Sequence, residues 1–423
     1  MKHYLQDAVN SISESVRFDS SRGERTASAP FGQENYECLL HFLNLAESLG
    51  FETRNYDGYA GEVTFGNAAE EFAILAHLDV VPAGDGWTKP PFGGEISEGK
   101  IWGRGTVDDK GPAICCLYAL KQLKDDGFVP AKKVKLIVGC NEESGWECIE
   151  HYKQVAHLPE TGFSPDADFP VIYSEKGILH VRLHFPIERA PFYYLEGGSS
   201  SNMVCDFCSA TPKTLSIHRA KELGLEVSGK KIIAHGKSAH GSTPNLGVNA
   251  ILPVLRYFQE KNETVKKIID FLFDDVFELK KINDEIDFLT LSPNLIKFRK
   301  NEIQIVCDIR YPAGMTLKQI LPQLDRLGVC YETLHHQPPL RLSQSSELVS
   351  NLLSVFEECT GQTAEPVSIG GGTYARALKN GVAFGPEMLG DEPVIHQPNE
   401  HISIERVELL LDIYEKAIER LTK

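Results

Sequence analysis

Residues 72–81 run Phe-Ala-Ile-Leu-Ala-His-Leu-Asp-Val-Val, apolar almost throughout and closed by Pro82, a pattern that predicts a buried strand. Residues 134–140 and 169–173 repeat that signal. Between the first two lies 113–123, apolar on a helical period, starting after Gly111-Pro112 and breaking near Gly127. Upstream, 38–49 is an amphipathic helix ended by Gly50. Strands alternating with helices predict an α/β layer with a mostly parallel mixed sheet flanked by helices. From about Gly177 the pattern changes. Strand-like runs at 179–185, 231–235 and 303–310 are interleaved with helical stretches at 249–260 and 316–327, the mark of a separate α+β domain. After Pro338-Pro339 the chain returns to a helix at 345–358, a Gly-rich turn and a last helix at 403–421. The expected organisation is a discontinuous first domain, 1–177 with 338–423, and an inserted domain, 178–337.

A length of 423 residues agrees with two domains. No apolar run approaches the roughly 18 residues that a spanning helix needs, so no membrane segment is expected. The first residues, Met-Lys-His-Tyr-Leu-Gln-Asp, carry an early acid and no apolar core, unlike a secretory signal, and the expected location is cytoplasmic. A net charge of −16 argues against nucleic acid as a partner. Of the 10 cysteines only Cys205 and Cys208 have CxxC spacing, and a single such pair is read as buried, inert thiols.

Chemistry concentrates at strand ends. His77 and Asp79 stand two residues apart, so on a strand both face one side, at the sheet edge where α/β proteins place ligands. Alone, this is more often a satisfied strand-end histidine. Gly103-Arg-Gly-Thr-Val-Asp-Asp-Lys-Gly111 precedes a helix; it reads as a Gly-rich turn, and the phosphate-loop order is absent. Asn141-Glu-Glu-Ser-Gly145 follows a buried strand, Ser164-Pro-Asp-Ala-Asp-Phe-Pro170 is a turn, and His396-Gln-Pro-Asn-Glu400 lies near the C-terminus. Each has an ordinary structural explanation. In chain order they form one hypothesis, because catalytic zinc takes His nitrogen and carboxylate oxygen, two close metals need a shared carboxylate, and one Glu of an adjacent pair can act as base.

In these pieces the chain resembles the dinuclear zinc metallopeptidases that include aminoacylases, acetylornithine deacetylase and carnosinases, and among them the PepV-type dipeptidases. The likeness extends from His77 to about His401. It is clearest in Gly105-Thr-Val-Asp-Asp-Lys-Gly111, Ser174-Glu-Lys-Gly177, Gly236-Lys-Ser-Ala-His-Gly241, Asp308-Ile-Arg-Tyr-Pro312 and Gly370-Gly-Gly-Thr-Tyr-Ala-Arg-Ala377. The resemblance implies a zinc-peptidase-like catalytic domain and an inserted lid. It implies two zinc ions per chain, with manganese and cobalt suited to the same ligands. His77 and Asp166 would hold one ion, Glu143 and His396 the other, and Asp108 would bridge them, with a cis bond to Asp109. Asp166 is preferred to Asp168 because it follows Pro165 in the motif. Asp79 would orient His77, Glu142 would be the general base, and His240 would stabilise the oxyanion. Arg310, expected just after a strand, and Asn202 would contact the substrate.

The implied activity is hydrolysis of the amide bond of a dipeptide, Xaa-Xaa or β-Ala-Xaa. No membrane partner is implied, and the expected state is monomer or homodimer, since some relatives lend the His240 counterpart to a neighbour. One departure is Trp146, where the resembled sequences more often carry a small residue. It touches no expected ligand and bears on specificity. Two other readings use the same residues: an N-acyl-amino-acid deacylase, and a catalytically inactive metal-binding regulatory protein. A serine hydrolase lacks support, since no Gly-x-Ser-x-Gly elbow occurs.

Overall fold

The computed structural model describes residues 4–423, which divide into two compact units. The first comprises the chain up to Tyr173 together with Leu342–Val367 and Thr373–Lys423. The second comprises Ser174–Arg341 and Ser368–Gly372. The short Ser368–Gly372 piece lies with the second unit although the chain on either side of it lies in the first. Hydrogen bonds explain its place: Lys176 N–H donates to Ile369 O at 3.0 Å, and Ser368 Oγ donates to Asp287 at 2.8 Å.

In the first unit, strand Glu71–His77 lies between Lys133–Gly139 and Thr161–Ser164 and is parallel to both. Thr161–Ser164 is in turn parallel to Asn380–Ala383. Phe72, Ile74, Leu75 and Ala76 are fully buried, as the continuous apolar run required. Full burial of each large one contributes about 1.5–3 kcal/mol. The parallel pairing stops there. Ala60–Phe65 joins Lys133–Gly139 antiparallel, and Glu52–Tyr56 joins it by a tight turn through Asp57 and Gly58, both at positive φ. Helix Lys110–Asp125 is buried on all sides over its first turns, and packs on Ile404–Thr422, Leu5–Val16 and the central strand. Helix Glu347–Thr360 ends on Gly361 at φ 70°, where the sequence placed its stop.

The second unit is built on an 8-stranded antiparallel sheet. Its strands alternate cleanly. In Gly177–Pro186, Leu179, Val181, Leu183 and Phe185 enter the core, while His180, Arg182 and His184 take the other face. The inward set packs on helices Ile251–Phe258, Glu263–Leu272 and Leu317–Asp325.

At the root of the central strand, Glu71 is clasped by Lys133 at 2.6 Å, Lys135 at 3.2 Å and His157 at 2.7 Å. Burial pushes its carboxyl up, but the three donors outweigh this and hold it at about 2. A depressed carboxyl stabilises the fold above its unfolded value of about 4.3 and loses that contribution as pH falls towards 2. Urea unfolding should therefore find Glu71→Gln less stable by roughly 1–2 kcal/mol at pH 7, the partners being partly solvated. The gap to the native chain should narrow below about pH 4 and close only towards about pH 2.

Candidate metal centre

His77 is the last residue of the central strand and is buried. Its Nδ1 donates to the backbone carbonyl of Asp79 at 2.9 Å. This fixes the neutral tautomer with Nε2 unprotonated, the form that ligates metal. The Asp79 carboxylate, expected to orient the ring, stands 3.5 Å from Nδ1. It accepts instead from the backbone N–H of Glu142 at 2.9 Å and of Glu143 at 3.1 Å. One short segment thus sets both the histidine and the glutamate pair.

The turn after Trp102 is held from below. Glu400, fully buried, accepts at Oε1 from the N–H of Gly105 and of Val107, both at 3.0 Å, and its Oε2 pairs with Arg104 at 2.6 Å. That turn delivers Asp108 and Asp109, joined by a cis peptide bond. The two acids part company. Asp109 Oδ2 accepts from His77 N–H at 3.0 Å, behind the strand. Asp108 faces forward, with Oδ1 3.0 Å from His77 Nε2 and Oδ2 2.9 Å from His396 Nε2.

Two groups of potential ligands result, His77 with Asp108 and Asp166, and Asp108 with Glu143 and His396, each with its ligand atoms within 4.8 Å of one another. Asp166 Oδ2 lies 3.7 Å from His77 Nε2, and Glu143 Oε1 lies 2.9 Å from His396 Nε2. Asp168 belongs to neither group; it lies on a short strand paired with Pro386–Glu387. His396 adopts a left-handed backbone, φ 60°, uncommon for a residue with a Cβ.

This donor set fits divalent metal. His77 Nε2 is buried and makes no hydrogen bond, although carboxylate oxygens lie on its open side. Burial and the Asp108 charge push Glu143 up to about 7 and Asp166 up to about 6. Burial alone would lower His396, yet Asp108 and Glu143 raise it to about 11. Carboxylates crowded together and largely out of water call for positive charge, and one His with two carboxylates per group suits zinc, manganese or cobalt.

Glu142, raised by burial, belongs to neither group but receives the indole N–H of Trp146 at 3.1 Å. The sequence reading left Trp146 without such a contact. It also missed Glu400, which stood in the quoted 396–400 segment, and Tyr374, whose ring lies 6.1 Å from that of His77 and 5.2 Å from that of Trp146.

The remaining expected residues lie in the second unit. Arg310 sits within strand Glu302–Tyr311 rather than after it, and is buried. Its guanidinium donates to both oxygens of Asp308, at 2.7 and 2.9 Å, and to Gly370 O at 3.0 Å, so three of its five N–H groups are engaged. His180, across the ladder, lies 3.4 Å from Asp308. Burial pushes Asp308 up, but His180 and Arg310 hold it at about 2. His240 accepts at Nδ1 from Ser242 N–H at 3.3 Å, with Ser242 Oγ at 2.7 Å. Asn202 O receives Gly241 N–H at 2.7 Å, and a Cβ at Gly241 would sit 2.1 Å from Asp308 Oδ2. The 202 and 240–241 segments, remote in sequence, thus lie beside the Asp308–Arg310 pair. Cys205 and Cys208 are buried free thiols, pushed up by burial, Cys205 to about 12, as inert thiols should be.

A parallel-centred sheet with two groups of potential metal ligands at its strand ends, sharing one carboxylate, is that of a metallopeptidase. Residues 73–420 match Peptidase family M20/M25/M40, and the chain belongs to that family. YtjP of Bacillus subtilis is 35% identical, over 99% of this chain and 98% of its own length. The Beta-Ala-Xaa dipeptidase of Lactobacillus delbrueckii subsp. lactis is 33% identical, over 99% of this chain and 97% of its own. Human carnosine dipeptidase 1 shares the fold, with a TM-score of 0.63 at 14% identity over 99% of this chain and 96% of that one. No described helix is long and apolar enough to cross a membrane.

Removing one partner of a buried ion pair leaves the other uncompensated, at a cost of about 3–5 kcal/mol. Glu400→Gln should lower unfolding stability by that order in urea titration. A loss below about 1 kcal/mol would mean that Arg104 and Glu400 do not hold the turn.

Proposed function

We propose that this chain is a metal-dependent dipeptidase in which His77, Asp166, Asp108, Glu143 and His396 hold two zinc ions and Glu142 is the general base. The observation that carries the reading is Asp108, one carboxylate with an oxygen turned to each ligand group. The substrate class is supported by the relative called Beta-Ala-Xaa dipeptidase, which this chain matches over 99% of its length.

Divalent metal bound there supplies Lewis-acid polarisation of the scissile carbonyl and makes an attacking water acidic near neutral pH. Glu142 takes the proton of that water and passes it to the departing amine. His240, with Nδ1 accepting from Ser242, carries its proton on Nε2 and so can donate to the oxyanion of the tetrahedral intermediate. Arg310, oriented by Asp308, offers its remaining N–H groups to the carboxylate of a short substrate. Asn202 is assigned a further substrate contact.

Glu142→Ala should lower kcat by about a thousandfold or more while the metal content by elemental analysis stays at the wild-type value. Wild-type turnover in this variant sinks the mechanism. Arg310→Lys, which keeps the charge but loses the fork, should raise KM for dipeptides about tenfold. A panel of dipeptides, β-Ala-His among them, should be hydrolysed in preference to N-acetyl and N-succinyl amino acids. Turnover of the acylated amino acids alone would make the chain a deacylase instead.

A further inference from the structure

We infer that Trp146 is a positioning residue for Glu142: its indole N–H holds one carboxylate oxygen, Oε1, and leaves the other, Oε2, directed to the proton it takes. The inference rests on Glu142 being the base. Among the described residues, the bond from Trp146 Nε1, 3.1 Å long, is the only hydrogen bond made by the Glu142 carboxylate. The other end of Glu142 is already fixed, its N–H on Asp79 Oδ1 at 2.9 Å. With both ends tied, a side chain that would otherwise sample several rotamers keeps one.

Trp146 is itself held rigidly. Its backbone N–H donates to Asn141 O at 2.8 Å, and its ring meets Tyr374 edge to face at 5.2 Å and 75°. Tyr374 is fully buried, 2.6 Å from Cys148 Sγ through its hydroxyl, and a Cβ on Gly139 would lie 2.2 Å from that hydroxyl. The support therefore runs from the end of a central strand, through Tyr374, to the indole. Trp146 also has a left-handed backbone, φ 68° and ψ 13°, immediately before helix Glu147–Val155. A bulky residue there is an outlier that neighbouring contacts must sustain. That conformation brings its indole back onto a residue four positions earlier.

The full-length, zinc-loaded protein tests this. The chain has 3 tryptophans, and the other two indoles donate to the carbonyls of Ala83 and Ser97. In a proton–nitrogen correlation spectrum, Glu142→Ala should move the Trp146 indole proton upfield and speed its exchange with solvent, leaving the Trp87 and Trp102 signals in place. Trp146→Phe, which keeps the ring on Tyr374 but removes the N–H, should lower kcat about tenfold or more at unchanged KM and unchanged Tm. Added to Glu142→Ala, it should cost nothing further. An indole signal indifferent to Glu142→Ala overturns the inference, as does Trp146→Phe with normal kcat. So does a rise in KM alone, the mark of a substrate contact. If Glu142→Ala is inactive while Trp146→Phe is normal, only the positioning role fails. If Glu142→Ala is active, the assigned base fails with it.

Discussion

The first unit is organised around one electrostatic constraint: several carboxylates share a buried pocket, and Asp108 stands between two of the groups they form. Ionised acids out of water repel one another and lose hydration, so such a pocket persists only where positive charge enters it. The raised Glu143 and Asp166 are that demand expressed in protons. A divalent ion would answer it better than protons do, since the carboxylates could then stay ionised.

Holding those acids in place falls to residues outside the two groups. Glu400 gathers the backbone N–H groups of the turn beneath Asp108 and is itself paired with a fully buried arginine. Asp79 does the same for the Glu142–Glu143 segment. Both use a carboxylate as a multiple acceptor of backbone N–H groups, which fixes a loop as firmly as a strand would. Left-handed backbone at His396 and Trp146 marks where such loops turn sharply to aim a side chain.

The second unit meets a different requirement. Its sheet has one apolar and one polar face, and along Glu302–Tyr311 the period-two alternation puts Asp308 and Arg310 side by side while Cys307 and Ile309 enter the core. Asp308 is fully buried and compensated by Arg310 and His180, which makes the arginine an oriented fork rather than a mobile cation. Gly241 leaves no room for a Cβ against Asp308, so the His240 loop is seated on the same group.

Much of this was legible in the sequence. The apolar run ending in His77, the helix after Gly111 and the strand before Asn141 are local patterns, and burial on both faces of a sheet leaves no other way to write them. The motif residues also carried the family, because the identity and order of metal ligands are chemical requirements. Other matters depended on distance in space. The choice between Asp108 and Asp109 was proposed from the motif, yet which of them faces forward is set by a turn pinned by Glu400, nearly three hundred residues away. The partner of Arg310 lay two residues upstream, where strand periodicity could have found it; its compensation by His180 needed the ladder. Trp146 read as a residue at the edge because nothing local says where an indole points. Its left-handed backbone and the buried Tyr374, brought in from the far end of the chain, set it against Glu142. Pattern and composition determine what is buried and which chemistry is present; the packing of remote segments decides which atom faces which.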